Sequence, residues 1–412
     1  MSVLRPRVDA NSVARRIKLP WGSVMRGLGV VTLALTTAAA PVVLPVVFAT
    51  PSAYADAARR DTCAPSRQGT VTLSEPWAQR RLDFTSVWPL TRGRGVTVAI
   101  VDSGVDIRHP QLKVARAVDV TGTGAQDCMG HGTSVAGIIA GRERKGSPFF
   151  GVAPDARLIS VKQTNAERGD PALLAKAIAK AADLGAQVIN VSVKAADRMD
   201  LRKAVGYALS KDAVIVAAAG NVTKEDGTPS PAYPAAYPGV LAVGASTQDD
   251  ELAEFSNAST PVAVLAPGQD LTSTWPGGTY QNDLKGTSHA TAYVSGVVAL
   301  VRARYPELDN VRVRRRLVLT SDGTKGTGTG AGVVNPRLAV TMILPSEVVA
   351  VAPQQPPTLA DSAIAKAPPP DERTIGVAAA VAGGALGAAA LVVAAAVLTP
   401  LGRSRRWQPG RS

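Results

Sequence analysis

The chain has 412 residues, of which 46% are hydrophobic and 19% charged, so it can bury a sizeable core and is not a disordered polypeptide. Two cysteines exclude a disulfide-rich scaffold, and three histidines leave little for a multi-histidine metal centre. The net charge of +13 is no nucleic-acid signal, because +5 lies in residues 1–26 and +4 in residues 400–412.

Residues 1–55 read as an export signal. Arg15, Arg16, Lys18 and Arg26 precede the apolar run Gly27–Ala49, and Ala53, Tyr54 and Ala55 offer a small-residue cleavage site. The run is long and interrupted by Pro41 and Pro45, so an uncleaved N-terminal anchor is the alternative. Residues 56–95 then form an N-terminal extension to a globular region at 96–344. Cys63 and Cys128 lie in the segment read as exported, where an oxidised pair is the economical reading and two separate thiols the alternative.

The globular region alternates two patterns. Val96–Val101, Leu158–Val161, Val188–Val193, Val214–Ala219 and Val240–Val243 are short apolar runs suited to strands buried on both faces. Between and after them, Thr133–Ala140, Pro171–Leu184, Leu201–Ser210, Ser288–Tyr305 and Val311–Thr320 have helical patterns, with Asp170 and Asp200 placed to cap two of them. This alternation predicts an α/β fold with a mainly parallel sheet covered on both faces, with functional groups at the carboxyl ends of its strands.

Residues 345–374 contain seven prolines and read as a stiff, extended tether. Residues 375–399 carry no charge and are long enough to cross roughly 30 Å of hydrocarbon as a transmembrane helix. The basic tail 400–412 then matches the positive-inside rule, which puts the globular region outside the cytoplasm and the C-terminus inside.

Chemistry-bearing residues fall where the predicted strands and helices end. Asp102 closes the first buried strand, His131 opens a helix after Gly130, Ser288 opens another after Gly286 and Thr287, and Asn221 follows the strand at 214–219. A serine hydroxyl needs a base to become a nucleophile, and the base needs an acceptor to fix its tautomer. Ser288, His131 and Asp102 can take these roles, while Asn221 and the Ser288 backbone N–H can face a developing oxyanion. His109 and His289 are rival bases. His109 precedes Pro110 in a turn, and His289 is the immediate helical neighbour of Ser288, so neither is placed for the task.

Over residues 77–344 the chain resembles the subtilisin-like serine proteases. The resemblance rests on Val101-Asp102-Ser103-Gly104-Val105, His131-Gly132-Thr133, Ala219-Gly220-Asn221 and Gly286-Thr287-Ser288, in the order Asp, His, Ser. It implies a three-layer α/β/α subtilisin-like fold, cleavage of protein or peptide substrates, and no cofactor. Within that family the chain is most similar to the mycosins, membrane-anchored subtilases of type VII secretion. The likeness lies in its signal, short extension, Cys128 before the histidine motif, proline-rich tether and single C-terminal helix.

The likeness implies a type VII secretion membrane complex as partner, with the C-terminal helix in the membrane; nucleic acid is not an expected partner. The alternative is a structural or assembly component of such a complex, with little proteolysis. This chain departs from the family pattern at His289, at Ala292, and at Lys194-Ala195, where many subtilases have glycines. No metal site is expected, since acidic clusters such as Asp249-Asp250-Glu251 are short and suit solvated turns.

Overall fold

In the computed structural model the described residues are Cys63, 73–166, 169–222, 229–345, Glu347 and 371–404. The export signal expected at 1–55 lies outside them, as do most of the tether and the tail from 405 onward.

The chain enters through a short helix, α1 (Trp77–Leu82), and one 3-10 turn, Phe84–Val87. Next come β1 (Thr97–Asp102), β2 (Val114–Asp119), α2 (His131–Ala140), β3 (Arg157–Lys162), α3 (Pro171–Asp183), β4 (Val188–Val191), α4 (Met199–Ser210) and β5 (Val214–Ala218). β6 (Leu241–Ser246), β7 (Val264–Pro267), β8 (Leu271–Trp275), β9 (Thr279–Leu284), α5 (Thr287–Arg304), α6 (Asn310–Leu319), α7 (Pro336–Thr341) and α8 (Glu372–Ser404) complete the order.

Seven strands form one sheet in the order β2-β3-β1-β4-β5-β6-β7, with every neighbouring pair parallel. The two faces of β1 show why the runs read as doubly buried. Val98 and Ile100 join the core that includes α2 and α5, whereas Ala99 and Val101 join the one that includes α3 and α4. Each fully buried aliphatic side chain contributes about 1.5–3 kcal/mol relative to exposure. α5 is buried from Thr287 to Arg302. Asp170 caps α3 by accepting from the backbone N–H groups of Ala172 and Leu173.

Some elements differ from expectation. α4 begins two residues before Leu201, placing Asp200 inside its first turn rather than at the cap, which is Arg198. β4 stops at Val191 instead of Val193, because Ser192 turns toward α5. β2 was not expected: Arg116 interrupts its apolar pattern, which an exposed edge position tolerates. The polar β8–β9 hairpin was also missed, since its stability comes from packing on α2 rather than from its own apolar run.

α8 is 33 residues long, apolar and unburied, and it contains the span expected at 375–399. It is the one helix among the described residues long and apolar enough to cross a membrane.

Candidate active site

Asp102 is the last residue of β1 and is almost wholly buried. Its Oδ1 lies 2.7 Å from His131 Nδ1 and also accepts the Ser103 backbone N–H at 2.8 Å. With a carboxylate on Nδ1, the proton resides there and Nε2 is left as the basic nitrogen.

His131 is the first residue of α2, and a carboxylate missed in the sequence fixes that helix end. Gly130, at φ 84°, supplies no side-chain cap. Asp127 replaces it. Its Oδ1 accepts from the Met129 and Gly130 N–H groups at 3.0 and 2.8 Å, and its Oδ2 from Thr133 N–H and Oγ1 at 2.8 and 2.6 Å. The Ser103 hydroxyl donates to Asp127 Oδ1 at 2.9 Å and accepts from Gly132 N–H at 3.0 Å, joining the strand-end turn to the helix start. Gly132 is required by space: a Cβ there would stand 2.0 Å from the Gly104 carbonyl oxygen. The signal that could have exposed Asp127 is its spacing, an acid four residues before a helix-opening histidine.

Cys63 and Cys128 form a disulfide, which ties the N-terminal extension to the residue beside Asp127. The buried Lys162 ammonium donates to the Gln126 carbonyl at 2.8 Å beneath the same loop.

Ser288 is the second residue of α5 and is gripped by the end of β4. Its hydroxyl donates to the Ser192 carbonyl at 3.3 Å, and the Ser192 hydroxyl donates back to the Ser288 carbonyl at 3.2 Å. Two helical turns further along α5, Ser295 Oγ donates to Asn190 Oδ1 at 2.9 Å.

Asn221 follows β5. Its Oδ1 accepts both the backbone N–H and the hydroxyl of Thr287, at 3.0 and 2.9 Å. This fixes the amide with Nδ2 turned outward. A methyl on Gly286 would lie 3.2 Å from Asn221 Nδ2 and 3.8 Å from the Ser288 backbone nitrogen, so the glycine keeps open a space that both donors border.

The other two histidines occupy different settings. His109 Nε2 donates to the Thr279 carbonyl at 3.0 Å and its Nδ1 accepts from Gln111 N–H, while burial lowers its pKa. His289 is buried with its ring centroid 5.5 Å from that of His131. Burial, then the neighbouring His131, pushes its pKa down to about 3, so it is neutral at working pH. Lys194, where glycine was the family expectation, lays its stem against Gly220 and donates from Nζ to the Asn221 carbonyl at 2.8 Å. Ala195 pairs in antiparallel fashion with Tyr233.

A doubly covered parallel sheet thus carries Asp102 at a strand end and His131 and Ser288 at helix starts. Comparison with known proteins gives the family. Residues 93–336 match the Subtilase family, and the chain belongs to it. Mycosin-1 of Mycolicibacterium smegmatis is 34% identical over 354 residues, covering 72% of this chain and 77% of that protein. Thermitase of Thermoactinomyces vulgaris is 36% identical over 275 residues, 65% of this chain and 96% of that one. The solved structure of the serine protease MycP1, an essential component of the type VII (ESX-1) secretion system, aligns with a TM-score of 0.62. It is 34% identical, and the match covers 68% of this chain and 95% of that one.

Proposed function

We propose that this subtilase is a membrane-anchored, extracytoplasmic endopeptidase working with Asp102, His131 and Ser288, and that it serves a type VII secretion complex. The observation that carries the catalytic reading is the 2.7 Å contact of His131 Nδ1 with the buried Asp102 carboxylate, which leaves Nε2 as the base.

In this mechanism Ser288 Oγ leaves the Ser192 carbonyl, gives its proton to His131 Nε2 and attacks the scissile carbonyl carbon. Asn221 Nδ2 and the Ser288 N–H receive the oxyanion. His131 returns the proton to the departing amine, and water then cleaves the acyl-enzyme with His131 again as base. Asp102 keeps the imidazole in one tautomer and stabilises the imidazolium.

The long apolar α8 and the arginines at 403, 405 and 406 support a membrane anchor with the protease domain outside and the tail inside. We assign 1–55 as export signal, 56–95 as extension, 96–344 as protease domain, 345–374 as tether, 375–399 as membrane span and 400–412 as tail. Likeness to MycP1 supports the secretion partner. Labelling with a fluorophosphonate tests the catalytic core without knowledge of the substrate. Ser288-dependent labelling is expected, and equal labelling of Ser288→Ala removes the assignment.

A further inference from the structure

The sequence departs from its family at His289, and the structure gives that departure a specific setting. Ser134, one turn into α2 and fully buried, donates its hydroxyl proton to the His131 carbonyl at 2.7 Å. A hydroxyl has one proton, and a carbonyl can only accept. The second partner of Ser134 Oγ, His289 Nε2 at 3.1 Å, is therefore the donor. A continuous chain results: His289 Nε2–H to Ser134 Oγ–H to the His131 carbonyl.

The imidazole is buried, and besides Ser134 it meets the main chain of Lys285. An apolar side chain would fill the same buried position without any polar partner to satisfy. What the imidazole supplies and an apolar residue cannot is the polar contact with Ser134. The same ring packs against the ring of His131, with centroids 5.5 Å apart and planes at 56°.

We propose that His289 is a positioning residue: through Ser134 it fixes the main chain of His131 to α5, and by ring contact it holds the His131 imidazole between Asp102 and Ser288. His289 is joined to Ser288 by one peptide bond, so the hydrogen-bonded chain sets the spacing of base and nucleophile directly. Apolar contacts between α2 and α5 alone would set it less sharply. Because His289 is neutral, it does not oppose the positive charge that His131 acquires during the reaction. The proposal rests on the Asp102–His131–Ser288 reading above.

The test is fluorophosphonate labelling of the full-length chain in detergent, with the rate of bond formation (kinact) resolved from probe binding (KI). His289→Leu is expected to lower kinact about tenfold or more, as small misplacements of reacting groups do, with KI within about threefold of wild type. His289→Gln, which keeps a donor at the Nε2 position, is expected to recover most of that loss. Ser134→Ala should lower kinact in the same direction, by no more than His289→Leu, which also loses the ring contact. The double variant should be no worse than His289→Leu, since both break the same chain.

Wild-type kinact in His289→Leu, or losses that multiply in the double variant, overturn the proposal. Should His289→Leu not fold, Ser134→Ala and His289→Gln decide alone: loss in the first and retention in the second are required. The two readings fail differently. Labelling of the wild type that does not depend on Ser288 removes the catalytic assignment and this proposal with it. Ser288-dependent labelling that is equal in all the variants removes only the role of His289.

Discussion

Thr287 holds the Asn221 amide at two points, through its backbone N–H and its hydroxyl, and so decides which end of that amide faces the Ser288 N–H. An oxyanion donor is effective when it is aimed before charge develops. Asn221→Ala is expected to lower kcat by about 10²–10³ with little change in KM, the range known for removing one such donor. Thr287→Val keeps the backbone bond and loses the hydroxyl, so a smaller fall of about tenfold is expected. Steady-state kinetics on a peptide substrate check both; equal losses in the two variants would deny Thr287 an orienting role.

Asp102 uses its two oxygens unequally. Oδ1 meets His131 and Ser103, while Oδ2 is buried and has no hydrogen-bond partner among the described residues. The residue thus offers one strong acceptor for the imidazole. Asp102→Asn retains its shape but can present an N–H to Nδ1, which favours the wrong tautomer. Labelling of Ser288 should fall by about 10⁴. A loss smaller than tenfold would mean that the carboxylate does not orient the base.

His289 also sets a pH dependence of stability. Its pKa is about 3 in the folded chain against an ordinary 6.5. Between those values the unfolded state binds the extra proton, so acid favours unfolding. The contribution is fully present above about pH 6.5 and is lost as pH falls toward 3, by about 1.4 kcal/mol per unit. His109, also lowered by burial, acts with the same sign, so the comparison must be with His289→Leu. Urea unfolding from pH 7 to 4 should be distinctly less acid-sensitive in that variant, and parallel curves would contradict the burial of a neutral imidazole.

The legibility of these features follows their physics. β1 was readable because both of its faces are buried and the whole run must be apolar, and Asp102 stood out as the charge that ends it. β2 was not, because an edge strand can carry Arg116 toward solvent. Ser288, His131 and Asn221 were legible through glycines that open space around them. Asp127 and Ser134 were not, since an acid or serine near a helix start suits an ordinary cap as well as a site. Only tertiary packing reveals that Asp127 is shared with Ser103 and that Ser134 faces His289.

The Cys63–Cys128 bridge closes a separation of 65 residues and ends beside the carboxylate that caps α2. Cross-links of this kind stabilise by about 2–4 kcal/mol, chiefly by restricting the unfolded chain. Cys63→Ser/Cys128→Ser should therefore lower the unfolding free energy by that amount in a denaturant titration. Since the Asp127 hydrogen bonds remain, Ser288 labelling of the folded variant should stay within about threefold of wild type. Unchanged stability would mean that the bridge is not formed in the protein as produced.

Lys194 bears on specificity. Its stem covers Gly220, with Cδ 3.5 Å from where a Gly220 Cβ would stand, and its ammonium reaches the Asn221 carbonyl. Lys194, Ala195, Val222, Ala232 and Asn257 border a cavity of about 390 Å³. A side chain placed there narrows the approach to Asn221 from one side, where glycine would leave the strand edge open to a substrate backbone. Lys194→Gly is expected to widen the range of residues accepted next to the cleaved bond and to raise kcat/KM for bulky ones by about tenfold, the scale of one or two methylene-sized contacts. Lys194→Met keeps the stem without the charge, so it should preserve the narrow profile if bulk is the cause and lose it if the ammonium is. Cleavage-site profiling on a denatured-protein digest reads all three enzymes at once. Identical profiles would show that the Lys194 side chain does not select substrate at all.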